Sequence, residues 1–410
     1  MDTLTVVFLV YTFLAFYLLF LFCLIYVQNK SRMYEIPLVT KQYALSIVVP
    51  CYNAEKQIGE TIQTLLNSDY KGLKKIIVVD DCSTDNSYKI AKKFEKKHPG
   101  LVLVVQTPKN TGRAAGSKNY GARFVKTDLI GFTDDDSRPK PNAIRGMIGF
   151  FDDSTVGAVT SRILVLNREK FIARLQAIEY KVIAFTRKLL GFVGAIYVTN
   201  GPLSIYRKTA FDKVHGFDIK NLTEDIEITW HMVAEGYKVH MALSSSVYSI
   251  VPDNAKAWFR QRIRWNVGGM QTINKYKMAF LKVGMLGSFI LPFFVLSWVL
   301  GIIGLAVLVY RIGRIFIIRY LSTKLSIETQ TAILTLREIN LTPSILLFFG
   351  VVLFILGFVF TLLALAYSRE KEFKNHGIFS ILMYTFVYLL VYPVLLIVSL
   401  WEFIRGKQSW

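Results

Sequence analysis

Three aspartates stand in a row, Asp134, Asp135 and Asp136, in a chain that otherwise carries an excess of positive charge. Ionised carboxylates this close repel one another, and such a group is usually retained because a divalent cation lies among its members. Hard oxygen ligands suit Mg²⁺ or Mn²⁺ better than zinc, and the five histidines (His98, His215, His231, His240, His376) have no zinc-like spacing. Because Mg²⁺ is commonly held by one or two carboxylates together with substrate phosphates, the expected ligand is a diphosphate. Other polar clusters are Pro50-Cys51-Tyr52-Asn53, Asp80-Asp81-Cys82-Ser83 and Asn110-Thr111-Gly112. Each has a plainer explanation by itself: Asp80 or Asp81 can cap a helix starting near Asp85, and Asp136 can open a turn over Ser137 to Pro141.

A second acidic pair, Glu224 and Asp225, opens an amphipathic helix running through Trp230 to Ala234. Thr223 as a cap, with the acids complementing the helix dipole, accounts for that pair on structural grounds alone. Further on, Gln261, Arg264 and Trp265 share one helix face by three- and four-residue spacing. A basic interfacial helix with Trp258 and Trp265 at headgroup depth explains the same run, and the two explanations are compatible.

Something must bring these clusters together. Between residue 43 and about 250, short apolar runs alternate with helical stretches. Leu45 to Val49, Lys75 to Val79, Leu101 to Val105 and Leu129 to Thr133 read as strands. Lys56 to Asn67, Asn86 to Lys97 and Arg113 to Phe124 read as crossover helices, which predicts a parallel α/β sheet. Ligands of such sheets bind beyond the carboxyl ends of the strands, and the polar clusters follow those ends.

The remainder is apolar. Of 410 residues, 53% are hydrophobic and 19% charged, with a mean hydropathy of +0.39, which excludes both a purely water-soluble globule and a disordered chain. Thr3 to Val27 has no charge, and neither has Gly284 to Tyr310, Pro343 to Tyr367 or Ile378 to Trp401; about 20 apolar residues suffice to cross a bilayer as a helix. At least four spans are expected. The first lacks a preceding basic stretch and a small-residue cleavage site, so it is read as an anchor rather than a cleaved signal. Lys30 and Arg32 after it, against Asp2 before it, orient the N-terminus outside and the following domain in the cytosol. Arg311 to Thr342 carries five basic residues where alternation puts it outside; it is either an external amphipathic segment or is brought to the cytosolic face by a turn hidden between Phe280 and Ile318. Asn167 to Leu190 and Ala255 to Lys277 read as amphipathic helices on the inner leaflet. The net charge of +20 suits anionic lipid or anionic metabolites; no basic stripe outside the membrane flanks argues for nucleic acid. Three cysteines (Cys23, Cys51, Cys82) indicate reduced thiols rather than a disulfide framework.

Taken in order, these motifs resemble membrane-embedded family 2 glycosyltransferases, the processive group of cellulose, chitin, hyaluronan and poly-N-acetylglucosamine synthases. The resemblance covers residues 45 to 275 and rests on Pro50 to Asn53, Asp80 to Ser83, Asn110 to Arg113, Asp134 to Asp136, Asn200-Gly201-Pro202, Thr223-Glu224-Asp225 and Gln261 to Trp265. It implies a GT-A type nucleotide-sugar-binding α/β domain with a mostly parallel sheet, joined to an α-helical transmembrane region. By the same resemblance Asp81 reads the uracil base of a UDP-sugar, with Pro50, Tyr52 and Asn53 beside the nucleotide and Arg113 on the far wall. Asp134 matches the position near ribose and metal, and Asp136 a direct ligand of Mg²⁺ or Mn²⁺. Asp225 matches the general base, with Glu224 beside it. Gln261, Arg264 and Trp265 match the group that holds the diphosphate and stacks on the acceptor, and Gly201 matches the turn at the acceptor end. The sequence departs from the family at Cys82, where glycine is usual, and at Asn200, where serine or cysteine is usual.

The expectation is an N-terminal transmembrane helix (1–28), a cytosolic transferase domain (43–250), an interfacial amphipathic segment (251–283) and a C-terminal transmembrane region of at least three helices (284–410). The resemblance implies a multi-pass plasma-membrane enzyme that inverts a UDP-sugar, UDP-N-acetylglucosamine first, onto a β-linked polysaccharide exported through the membrane. Its partners are the donor, a glycan or lipid acceptor and the bilayer, with room for an accessory membrane subunit. Transfer of one sugar to a lipid such as ceramide, a diacylglycerol or a polyprenyl phosphate is the alternative, and a silent membrane scaffold is a third.

Overall fold

A computed structural model of the chain describes residues 3–282, 284–330, 345–367 and 377–406. Helix α1 (Thr3–Asn29) leads into a domain whose first half alternates strand and helix: β1 (Leu45–Cys51), α2 (Ile58–Leu66), β2 (Leu73–Asp80), α3 (Ser87–Lys97), β3 (Val102–Gln106), α4 (Ala114–Ala122) and β4 (Leu129–Phe132). Next come β5 (Arg138–Pro139), α5 (Arg145–Ile148), β6 (Val156–Val165), α6 (Phe171–Phe192), β7 (Ser204–Arg207), α7 (Lys208–Lys213), α8 (Glu224–Ala234), β8 (Lys238–Ser249) and α9 (Ala255–Tyr276). The chain continues as α10 (Leu291–Thr329), α11 (Ile345–Ala366), α12 (Ile378–Met383) and α13 (Leu389–Ile404), with π-helical turns at Leu286–Ile290 and Tyr384–Tyr388.

The eight strands among the described residues form one sheet in the order β3-β2-β1-β4-β7-β6-β8-β5. The β3-β2-β1-β4 half is parallel, because α2, α3 and α4 are crossovers. Both faces of that half are covered, which is why its strands read as unbroken apolar runs. Val48, Ile77, Val79, Ile130 and Phe132 pack on one face, and Ile47, Val49, Ile76, Val78 and Leu129 on the other. Burying each such side chain contributes about 1.5–3 kcal/mol. The sheet is mostly parallel, as expected, in four of its seven pairings, and the other three make it mixed: β7 runs antiparallel to both β4 and β6, and β5 antiparallel to β8. Strand direction is decided by which partner a short segment meets, and a four-residue run such as Ser204–Arg207 carries no periodicity that could announce it.

Four helices among the described residues are long and apolar enough to cross a membrane: Thr5–Arg32, Leu286–Thr329, Phe348–Ala366 and Ile378–Ile404. Helix α10 is unbroken for 39 residues, about 58 Å at ~1.5 Å per residue, against ~30 Å for a hydrocarbon core. A hidden turn within Leu291–Thr329 is therefore ruled out, and Arg311, Arg314, Arg319 and Lys324 ride on a direct extension of the same helix. Residues 331–342 of that basic stretch, Arg337 among them, lie outside the described residues.

Helix α6 does not lie free on a leaflet. Its apolar stripe is buried between the sheet and the apolar helices, so that Ile25, Ala184, Phe185 and Ala364 belong to the same core cluster as Val48 and Phe132. Lys181, Arg187 and Lys188 are buried with it. An apolar stripe at helical spacing looks the same whether it meets lipid or protein.

Candidate active site

The carboxyl ends of β1, β2 and β4, the Asn200-Gly201-Pro202 turn, the start of α8 and one face of α9 converge on a cavity of about 810 Å³. That volume is within the range of small-ligand sites. Of the residues singled out from sequence, Pro50, Tyr52, Asp81, Arg113, Asp134, Asp136, Gly201, Glu224, Asp225, Gln261, Arg264 and Trp265 line it. Asn53 does not. It adopts a left-handed φ of 51°, and its side-chain oxygen accepts from Thr84 N at 2.8 Å and Thr84 Oγ1 at 3.2 Å, so it ties two loops together behind the wall.

Asp81 follows β2 and is almost fully buried. One carboxylate oxygen accepts from Thr107 Oγ1 at 2.8 Å and the other from Thr111 Oγ1 at 2.8 Å, while Thr111 N donates at 3.0 Å. Its neighbour Asp80 instead accepts from Gln106 Nε2 at 2.9 Å and holds the turn from beneath. Neither aspartate caps α3; Asp85 accepts from Ser87 N at 2.9 Å. Cys82, standing where the family usually has glycine, takes a left-handed φ of 62°, a conformation glycine adopts without steric cost. Arg113 donates to the carbonyl of Lys220 at 2.8 Å and so closes the opposite wall.

The three consecutive aspartates diverge in their surroundings. Asp134 Oδ1 is 3.3 Å from Lys118 Nζ. Burial, reinforced by repulsion from its two neighbours, pushes Asp135 up to about 7, and burial with repulsion from Asp134 pushes Asp136 up to about 6. Among the described residues no cluster of three or more His, Cys, Asp or Glu side chains is gathered closely enough to hold a metal. The donors present nevertheless suit a hard divalent cation completed by phosphate oxygens, since such an ion needs only one or two carboxylates and would relieve their repulsion.

At the start of α8 the two acids are set apart by one cation. Lys118 Nζ lies 3.0 Å from Glu224 Oε1, and its side chain is 3% exposed. Burial disfavours the Lys118 ammonium, but Asp134 and Glu224 outweigh it and hold the group protonated. Burial likewise works against ionised Glu224, yet Lys118 keeps that carboxyl below its ordinary range. Asp225 is pushed up to about 6 by burial and then by Glu224, against the opposing pull of Lys118 and Arg264. The Thr223 hydroxyl donates to Asn221 Oδ1 at 3.2 Å rather than capping the helix. A methyl group on Gly268 would come within 2.2 Å of Thr223 Oγ1, so the absence of a side chain there lets α9 press Gln261, Arg264 and Trp265 toward the acids.

Lys118 is the cavity-lining cation that spacing arguments overlooked. Its signal is present: it falls on the small-residue stripe Ala115, Lys118, Ala122 of a crossover helix, where a cation is buried only if acids await it. Tyr180 and Asn200 also line the cavity without having been assigned a role there. Asn200 donates to the Ser161 carbonyl at 2.7 Å and accepts from Arg187, which fixes the turn before Gly201.

Residues 46–215 match the family model for Glycosyl transferase family 2. The chain is 26% identical to poly-beta-1,6-N-acetyl-D-glucosamine synthase of Staphylococcus epidermidis over 251 residues, 61% of this chain and 60% of that relative. It is 28% identical to a probable glycosyltransferase of Bacillus subtilis over 262 residues, 62% of this chain and 60% of that one. The chain thus spans about three fifths of the length of these curated relatives. Among solved structures it is similar to a mannosyltransferase from Pyrobaculum calidifontis in complex with GDP-Man and Mn²⁺, with a TM-score of 0.60 at 16% identity, over 98% of this chain and 99% of that one. That likeness extends the shared fold, a GT-A domain with attached helices, across the whole chain.

Proposed function

We propose that this chain, which carries a family 2 glycosyltransferase domain beside four helices of membrane-spanning length, is an inverting, metal-dependent hexosyltransferase with its catalytic domain in the cytosol. It takes a UDP-sugar, with UDP-N-acetylglucosamine the first candidate, and extends a β-linked polysaccharide that leaves through the membrane. The observation that carries this is one cavity holding a raised, half-buried carboxyl (Asp225), a paired neighbour (Glu224), an Asp-x-Asp and the Gln261-Arg264-Trp265 face.

The acceptor hydroxyl must lose its proton as its oxygen attacks the anomeric carbon. Asp225 accepts that proton, its basicity tuned by burial to about 6, while Lys118 keeps Glu224 charged and out of the proton transfer. Arg264 faces the charge that develops on the departing diphosphate. Asp134 and Asp136 would hold Mg²⁺ or Mn²⁺, which when bound neutralises that same charge. Asp81 and Arg113 bound the nucleotide end, and Trp265 offers an apolar face to a sugar ring. Displacement from the face opposite the leaving group converts an α-linked donor into a β-linked product.

One observation favours transfer to a lipid acceptor instead: Ile183 and Ala184 of α6 line the cavity, and α6 packs directly on the membrane-length helices. Both versions are tested by UDP release from the purified protein in lipid, across UDP-N-acetylglucosamine, UDP-glucose, UDP-glucuronate and UDP-galactose. Chelator removes the metal, Mg²⁺ or Mn²⁺ restores it, and Asp225→Asn is the control. Metal-dependent release with a long polymer on a gel supports the synthase, and single-sugar lipid products support the alternative. Silence with every donor excludes both.

A further inference from the structure

Glu179 of α6 and Arg262 of α9 form an ion pair with side chains 4% and 1% exposed, in the seam where these helices meet the last membrane-length helix. A pair this buried depends on further hydrogen bonds to its remaining donors and acceptors; both Glu179 oxygens and both terminal guanidinium nitrogens of Arg262 have partners, and among the described residues only its buried Nε has none. Tyr388 Oη donates to Glu179 Oε2 at 2.7 Å, Tyr392 donates to the other carboxylate oxygen, and Trp258 Nε1 donates to Tyr388 Oη at 2.6 Å. Tyr388 closes the π-helical turn Tyr384–Tyr388, a local widening of the helix of a kind that recurs at functional sites.

Arg262 also reaches forward. Its Nη1 donates to Gln261 Oε1 at 3.1 Å, and its guanidinium lies 4.1 Å from the centre of the Trp265 ring. Trp265 is flanked in turn by Tyr180, stacked at 6.5 Å. Two of the three cavity residues on α9 therefore rest on a group that does not itself line the cavity and that is clamped from the membrane side. Arg264 is held separately, through the Leu222 carbonyl at 3.3 Å.

We propose that Glu179, Arg262 and Tyr388 are positioning residues that set Gln261 and Trp265, and with them the acceptor side of the cavity, from the last membrane-length helix. This rests on the glycosyl-transfer reading above. In transfer, the acceptor oxygen bonds to the anomeric carbon, the bond to UDP breaks with its electron pair on the diphosphate, and the hydroxyl proton passes to Asp225. Water is the competing acceptor: the same bonds break, and free sugar plus UDP result. Loosening the acceptor platform without touching the donor end shifts the balance toward water.

The test uses the full chain in lipid nanodiscs, with UDP-N-acetylglucosamine or whichever of the four donors the unaltered protein turns over. Sugar incorporated into product is measured per UDP released, alongside UDP affinity by calorimetry, for Glu179→Gln and Tyr388→Phe. The second variant removes a single hydroxyl and preserves packing, so it guards against simple misfolding. Incorporation per UDP should fall about threefold or more while UDP affinity stays within about twofold. A purely structural seam lowers both rates with the active fraction and leaves their ratio unchanged, and that result overturns the inference alone. A silent unaltered protein removes the transferase reading and this inference together.

Discussion

Lys118 lies 3.0 Å from Glu224 Oε1 and stands between that acid and Asp134, while Asp225, the next residue along α8, has no ion-pair partner among the described residues. Two adjacent carboxyls are thereby driven in opposite directions, Glu224 down and Asp225 up to about 6. Pairs of acids pushed apart in this way divide the roles of charge and proton acceptor between them.

The first consequence is a pH profile. As a base Asp225 works only when ionised, so kcat/KM should fall with decreasing pH through a midpoint near 6 and be flat above it. Asp225→Asn should lower turnover by about 10²–10⁴-fold and abolish that limb, with UDP affinity retained. Initial rates of UDP release from pH 5 to 8, at saturating Mg²⁺ or Mn²⁺ so that Asp136 stays ionised on the metal, decide the matter; a limb that survives in the variant under those conditions assigns the base elsewhere.

Removing the buried cation should have two effects. Lys118→Met strands Asp134 and Glu224 without their partner and should destabilise the domain by about 3–5 kcal/mol, read as a lowered unfolding midpoint. Because Lys118 opposes the rise of Asp225, its loss should also move the activity limb to higher pH. An unmoved limb would separate Lys118 from the base.

Gly201 is tested by its missing atom. A Cβ there would stand 2.5 Å from Asp134 Oδ2, and Asp134 is already held by Lys118, so Gly201→Ala must displace the carboxylate or the turn. Activity should drop by about 10–100-fold with little change in thermal stability, because small misplacements near reacting groups are costly. Retained activity at ordinary metal concentration would show that Asp134 needs no such alignment.

Cys82 offers the opposite case, an expected gain. Its left-handed φ of 62° costs a side chain about 1–2 kcal/mol that glycine avoids, partly offset by the greater entropy of an unfolded glycine and by loss of the Sγ contact to the Thr107 carbonyl at 3.4 Å. Cys82→Gly should therefore stabilise the domain by about 0.5–1 kcal/mol, measured by chemical denaturation. A lower midpoint would mean that the thiol contact outweighs the backbone strain.

What the sequence determined by itself is what depends on near neighbours along the chain. Apolar runs between turn residues located β1 to β4 and the helices joining them, and chargeless runs located the four membrane-length helices, because periodicity and length are local properties. The same logic put Gln261, Arg264 and Trp265 on one face of α9, and all three line the cavity. Tertiary structure alone decided the rest. The antiparallel insertion of β7 and the burial of α6 between the sheet and the membrane-length helices depend on what each segment meets in space. The site followed the same division. Residue types and strand ends gathered the carboxylates, but only three-dimensional packing brought Lys118 from α4 between Asp134 and Glu224, and only packing turned Asn53 away from the cavity. Electrostatic partners are chosen by distance through space, and that distance is fixed only when the whole sheet closes.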